Sequence, residues 1–319
     1  MREPAANDKT LFLGRVDPDK VQPSPLVRSW DGAPAAVWSY GPGGAPHMRI
    51  VGTTGGGKSS LLRIIERGLV HKPGRRAITI IDAEGAGEHT VMDGMPGVAQ
   101  IINLNPAADR KVPEGTPTSV ELAAGAIADH LTLSVERNEE RMQVQQAWLR
   151  LLKDPARHKE PAWRPPGEAW LIIDGWATLC QVLARYSKAK ADTVEDLTQY
   201  GMNGRKTDCH LVVADQVTYA SKSKDDDGMP SRLKKQLACS VAAVGALGLT
   251  ASEGRMAFDD EHAGRLVPRV PGGCLIQVGA TRVPFIVPPW LNATDPDAPV
   301  SVADRRAAYR LLPSPETAA

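Results

Sequence analysis

Several things are scarce in this chain. Its four cysteines, Cys180, Cys209, Cys239 and Cys274, are far apart and contain no C-x-x-C pair. Cys180, Cys209 and Cys274 lie in or beside apolar runs, where buried free thiols are expected, and that suits a reducing cytosol. No apolar run reaches the length of a membrane-spanning helix. The opening Met1-Arg2-Glu3-Pro4-Ala5-Ala6 lacks the apolar core of a signal peptide. The resulting expectation is a soluble, cytoplasmic chain, with peripheral docking onto a membrane partner left open. Charge of one sign is also missing: 38 Lys and Arg against 37 Asp and Glu leave a net charge of +1. No global basic field attracts nucleic acid, so any polyanion contact must come from local patches. There is no internal repeat and no extended low-complexity block.

What is present is more specific. At 319 residues the chain can hold one large α/β domain or two smaller ones. The apolar stretch Met48-Arg49-Ile50-Val51 runs into Gly52-Thr53-Thr54-Gly55-Gly56-Gly57-Lys58-Ser59-Ser60, which fits the phosphate-binding pattern G-x-x-x-x-G-K-[ST]. Backbone N–H groups can wrap a phosphate chain only where no Cβ blocks the approach and unusual φ values are cheap, hence the glycines. Lys58 would bring a point charge to the β/γ-phosphates, and Ser59 a hydroxyl to Mg²⁺. Ser60 to Arg67 reads as a helix whose N-terminal dipole faces the anion. ATP with Mg²⁺ is the expected ligand.

Strand-like runs recur at 77–82, 99–104, 169–174 and 210–216, separated by helical segments that include a long one over about 118–153. This alternation predicts a parallel sheet with right-handed crossovers. Shorter strands are expected at 240–244, 273–278 and 281–287. Residues 1–45 read as an irregular arm with a short edge strand, 46–290 as the main domain, and 291–319 as a Pro-rich C-terminal tail. The stretch 154–168 reads as a polar, Pro-containing loop, and 221–228 as a charged, flexible one. Trp170-Leu171-Ile172-Ile173-Asp174 is a buried strand ending in a carboxylate at the sheet's C-terminal edge, where Asp174 can hold Mg²⁺ near Ser59. His47 and His210 read as packing or hydrogen-bonding groups, and Trp163-Arg164 as part of a solvated loop.

Taken in order, these motifs resemble the FtsK/SpoIIIE DNA-pumping ATPases within the wider HerA–FtsK group. The resemblance rests on the Pro46-His47 entry to the glycine loop, the Glu/Arg-rich helix around Arg137 to Arg141, the acid Asp174, and Arg205-Lys206-Thr207-Asp208-Cys209-His210-Leu211-Val212-Val213-Ala214-Asp215-Gln216. It covers roughly residues 30–290 and implies a RecA-like P-loop NTPase fold with a mainly parallel sheet flanked by helices. The short, single-motor layout looks most like the FtsK-type conjugation proteins of actinobacterial plasmids and integrative elements. It implies a homo-oligomeric ring, a hexamer, that translocates double-stranded DNA and meets a membrane-bound transfer partner. By the same resemblance Gln216 is a sensor at the γ-phosphate, and Arg205 reaches the nucleotide of the neighbouring subunit.

The chain departs from that family at two positions. The Walker B Asp is ordinarily followed by a Glu that polarises the attacking water; here Gly175 follows Asp174. The family's Thr before the sensor Gln is replaced by Asp215. The expectation is that Asp215 supplies the missing carboxylate, with Glu84 a second, weaker candidate; the alternative is that Asp215 is a Mg²⁺-shell acid or a strand-end cap. Candidate DNA contacts are Arg255, Arg265, Lys222, Lys224, Lys234 and Lys235. A type VII-like protein-secretion ATPase is the second reading, and a nucleotide-dependent assembly subunit with little hydrolysis, favoured by Gly175, the third.

Overall fold

A computed structural model describes residues 9–287 apart from 31, 42, 54, 152–162, 187–189, 217–228, 238 and 246–247. The expectations for Thr54, Lys222, Lys224, the 221–228 loop and the tail beyond Trp290 lie outside the described residues. The strands are β1 (Thr10–Arg15), β2 (Val27–Trp30), β3 (Ala33–Ser39), β4 (Met48–Gly52), β5 (Arg76–Asp82), β6 (Val98–Asn103), β7 (Glu168–Asp174), β8 (Cys209–Gln216), β9 (Cys239–Ala243), β10 (Gly273–Val278) and β11 (Thr281–Ile286). The helices are α1 (Lys58–Val70), α2 (Pro106–Asp109), α3 (Ser119–Leu151), α4 (Trp176–Tyr186), α5 (Lys190–Thr207), α6 (Ser231–Gln236) and α7 (Ala251–Phe258).

One 11-stranded sheet runs β2-β3-β1-β11-β10-β9-β4-β8-β7-β5-β6. From β9 to β6 every neighbouring pair is parallel. From β2 to β9 every pair is antiparallel. The α/β class and the parallel strands follow the expectation; the sheet as a whole is mixed. The N-terminal segment departs from it. It carries three strands in place of one edge strand, and β1 pairs with β11 and β3. Its burial pattern explains this: Leu11, Phe12, Leu13, Ala35, Ala36, Val37 and Trp38 are all buried, so the arm completes the core.

The two faces of the sheet are covered differently. On one face α1 buries Leu61, Leu62, Ile65 and Leu69 against β1, Trp38 and the central strands. On the other, α3, α4 and α5 pack over Leu171, Ile173, Leu211 and Val213. Helix α3 has 33 residues, about 50 Å of helix, but its buried residues stop at Arg137. Their spacing, Val120, Ala123, Ile127, His130, Ser134 and Arg137, is one helical stripe. Arg137 donates to the Thr207 carbonyl at 3.0 Å, so this member of the Glu/Arg-rich helix ties α3 to the α5–β8 connection. All four cysteines are free and buried.

Three histidines are built into this core. His47 accepts from the Leu211 amide through Nδ1 at 3.0 Å. His210 lies 3.0 Å from the Pro46 carbonyl and stacks on Trp170 at 4.2 Å. His130 lies 2.9 Å from the Thr79 hydroxyl. The packing roles expected of His47 and His210 are the ones seen. Burial holds all three neutral, pushing His47 down to about 3 and His130 to about 4, with His210 lowered as well. The unfolded chain takes up protons near pH 6.5 that the folded chain refuses until about pH 3–4. Stability therefore falls as the pH drops below about 6.5. Each proton contributes about 1.4 kcal/mol per pH unit, so three histidines give a limiting slope of about 4 kcal/mol per pH unit. Urea midpoints measured from pH 6.5 to 5.0 are expected to decline accordingly, and a flat profile would contradict the assignment.

Candidate functional site

The C-terminal ends of four parallel strands meet at one sheet edge. Gly52 stands opposite Gln216, and Asp174 lies between Asp82 and Ala214. Between β4 and α1 the glycine loop turns tightly. A Cβ on Gly56 would sit 2.2 Å from the Ala243 carbonyl oxygen, so only glycine allows this approach to β9. Gly57 caps α1 with φ +98°, the left-handed region where a side chain is strained. Open space surrounds the Cβ positions of Gly55 and Gly57. Lys58 is buried at the first turn, and the Thr53 hydroxyl is buried without a hydrogen-bond partner among the described residues. Backbone donors, a helix N-terminus and a lysine thus surround a cradle shaped for a polyphosphate.

Asp174 is buried at the end of β7. Its Oδ2 lies 3.2 Å from His89 Nε2, and His89 Nδ1 lies 2.7 Å from Glu66 Oε1 on α1. Burial opposes a charge on His89, but Glu66 and Asp174 outweigh it and hold the imidazole protonated up to about 10. The result is a buried acid–cation–acid row fixing one oxygen of Asp174. The other, Oδ1, is buried with no partner among the described residues, and it is the atom free to face a hydrated cation. This donor set, with the Ser59 hydroxyl, fits a Mg²⁺ ion. Among the described residues no group of three or more His, Cys, Asp and Glu could hold a metal.

The segment after β5 organises much of this edge. Asp82, itself buried, accepts from the Gly85 and Gly87 amides, each at 2.9 Å. That folds residues 83–89 into a compact loop presenting three side chains. Glu84 accepts from Gln216 Nε2 at 2.8 Å. Glu88 pairs with Arg63 at 2.6 Å and is hydrogen-bonded to Ser59. Burial works against ionisation of Glu88, but the Ser59 and Arg63 contacts prevail and hold it below the usual carboxylate range. His89 reaches Asp174. Sequence reasoning missed Glu66, Glu88 and His89; two glycines between acids, after a buried strand, were the available signal.

Asp215, expected to be the base, is buried and engaged. Its Oδ1 accepts from the Ala177 amide at 3.2 Å and from the Gln216 amide at 2.8 Å. It caps the first turn of α4 and bonds the Gln216 amide. Arg205 is exposed on the last turn of α5, before the opposite end of β8. Eight residues of strand put about 23 Å between that end and the cradle. Within one chain the structure does not bring Arg205 to the site. Among the basic candidates Arg255 is ion-paired with Glu261 at 2.5 Å. Arg265 and Lys235 are exposed, and Lys234 is half-buried. Arg164 is exposed and Trp163 partly so, as expected of a solvated loop.

A family model described as the central domain of the helicase HerA matches residues 45–200, the span that holds the cradle, the 83–89 loop and Asp174. The chain carries a HerA/FtsK-like P-loop ATPase domain. Gln216 and Arg205 fall beyond the matched span. No curated protein sequence matches it. Among solved structures the HerA/FtsK fold is similar to the cytoplasmic domain of the type VII secretion ATPase EccC of Thermomonospora curvata. The identity is 20%, the TM-score 0.60, and the coverage 98% of this chain and 32% of that one. ATPases 2 and 3 of EssC from Geobacillus thermodenitrificans match at 14% identity and TM-score 0.59, over 98% of this chain and 50% of that one. The pCW3 conjugation coupling protein TcpA, in its monomer form with ATPγS, matches at 17% and TM-score 0.54, over 86% and 68%. The chain thus spans about a third of the EccC chain and half of the EssC chain. At these identities the likeness is one of fold. No described helix is long and apolar enough to cross a membrane.

Proposed function

We propose that this chain is an ATP-hydrolysing motor that moves double-stranded DNA as a hexameric ring, in conjugative transfer of a plasmid or integrative element. In this reading residues 46–290 are the motor, working in the cytoplasm beside a membrane-bound transfer partner. The observation that carries it is the convergence of Lys58, Ser59, Asp174 and Gln216 at one sheet edge of a HerA/FtsK chain. The Gly52–Ser60 segment holds the phosphates, with Lys58 neutralising the β/γ charge. Bound Mg²⁺, held through Ser59 and Asp174, would supply Lewis-acid stabilisation of the phosphoryl oxygens. Gln216 orients water at the γ-phosphate, and Asp215 fixes Gln216. Arg205, too far from its own cradle, serves the neighbouring subunit's nucleotide, where a planar permanent cation stabilises developing charge.

Contacts to DNA come from basic side chains such as Arg265, Lys234 and Lys235, reading phosphates without sequence preference. Phosphate release measured with and without double-stranded DNA tests the reading. DNA is expected to raise the rate, and DNA affinity to fall with added salt at a logarithmic slope of about −0.9 per phosphate contacted. No DNA effect at low salt would exclude it. The fold likeness to EccC and EssC favours a second reading, a protein-secretion motor; stimulation by a secreted substrate peptide and not by DNA would select it. Gly175 supports a third, an assembly subunit that binds ATP without turnover on either polymer.

A further inference from the structure

We infer that Glu84 is the carboxylate that accepts the proton of the attacking water, in place of the residue missing after Asp174. The inference rests on the ATPase reading above. It starts from a steric exchange. Gly175 has φ +91°, and a Cβ there would lie 2.8 Å from Glu84 Cγ and 3.4 Å from Ala83 Cβ. The space in which a side chain at 175 would begin is therefore filled by the stem of Glu84. A side chain after Asp174 would have to displace Glu84 from this position, and this chain has glycine there.

The position is also the right one. The amide of Ala83 donates to the Asp174 carbonyl at 2.8 Å, locking the start of the loop to β7. Asp82 secures the rest through the Gly85 and Gly87 amides. Glu84 is thus delivered from a fixed backbone to Gln216, whose partner across the sheet is Gly52 at the mouth of the cradle. The other acids of this edge are committed elsewhere: Asp82 to loop amides, Asp174 to His89, Glu88 to Arg63 and Ser59, and Asp215 to two amides. Glu84 is exposed, and Gln216 is the hydrogen-bond partner of its Oε1. The attacking water is held beside the Gln216–Glu84 pair, facing the γ-phosphorus. Its oxygen bonds to phosphorus as the bond to the bridging oxygen breaks. ADP leaves with that electron pair, and the water proton passes to Glu84 and then to the released phosphate.

The test compares the native chain with Glu84→Gln and Glu84→Asp, measuring phosphate release, with and without double-stranded DNA, and the Kd of a fluorescent ATP analogue. Glu84→Gln is expected to lower kcat by about 10²–10⁴-fold with Kd changed no more than a few-fold, and Glu84→Asp to recover part of the rate. Retained binding shows that the variant is folded. Turnover by Glu84→Gln within a few-fold of the native rate would overturn the assignment alone. A native chain that binds ATP but releases no phosphate would overturn the ATPase reading and the assignment with it.

Discussion

Lys58→Ala is expected to weaken ATP binding by about 10- to 100-fold and to lower turnover by a further 10²- to 10³-fold or so. The side chain is buried at the first turn of α1, with its stem against Gly52 in the glycine loop. Charge-assisted hydrogen bonds to phosphate are among the strong ones, and a bound ligand stabilises the fold in proportion to its occupancy. At 100 times Kd that stabilisation is about 2.7 kcal/mol. Thermal unfolding scans with and without Mg²⁺–ATP therefore provide a readout independent of turnover. The native chain is expected to gain a few degrees, and Lys58→Ala to gain little at the same ATP concentration. Equal shifts in the two proteins would show that the nucleotide does not use this lysine.

His89→Ala is expected to be the most destabilising single change at the site. His89 stands between two buried carboxylates, Glu66 and Asp174, and its positive charge is the counter-charge that faces both. Removing it leaves like charges facing each other across a cavity. Breaking a buried ion pair by deleting one partner costs about 3–5 kcal/mol, and here one cation serves two acids. Urea unfolding without nucleotide should show that loss. His89→Gln, which restores a donor but no charge, should recover only part of it. A change under about 1 kcal/mol, the usual value for an exposed pair, would mean that the row is not charged in the folded protein.

The legible parts of this molecule were those in which chemistry and local geometry coincide. The glycine loop could be read because each glycine meets a local demand, close approach at Gly56 and positive φ at Gly57. Asp174 and Gln216 could be placed because a buried parallel strand is a continuous apolar run, and its end marks the sheet edge. The N-terminal strands were harder: Leu11-Phe12-Leu13 and Ala35 to Trp38 are short and lie among Pro and Gly. They became strands because β11, some 270 residues from β1 in sequence, offers an edge to pair with.

Nucleotide binding, the α/β class and the motif order were written into the chain, since each depends on residues within a few positions of one another. The roles of the acids were not. Asp215 and Glu84 both looked able to replace the glutamate absent at Gly175, and nothing local separates them. Their surroundings in the fold differ: the N-terminus of α4 closes over Asp215, while the loop anchored by Asp82 carries Glu84 into the space above Gly175. The Glu66–His89–Asp174 row likewise joins a helix, a loop and a strand. A carboxylate's function here follows from which donors reach it, and those donors come from elements that only the folded sheet brings together.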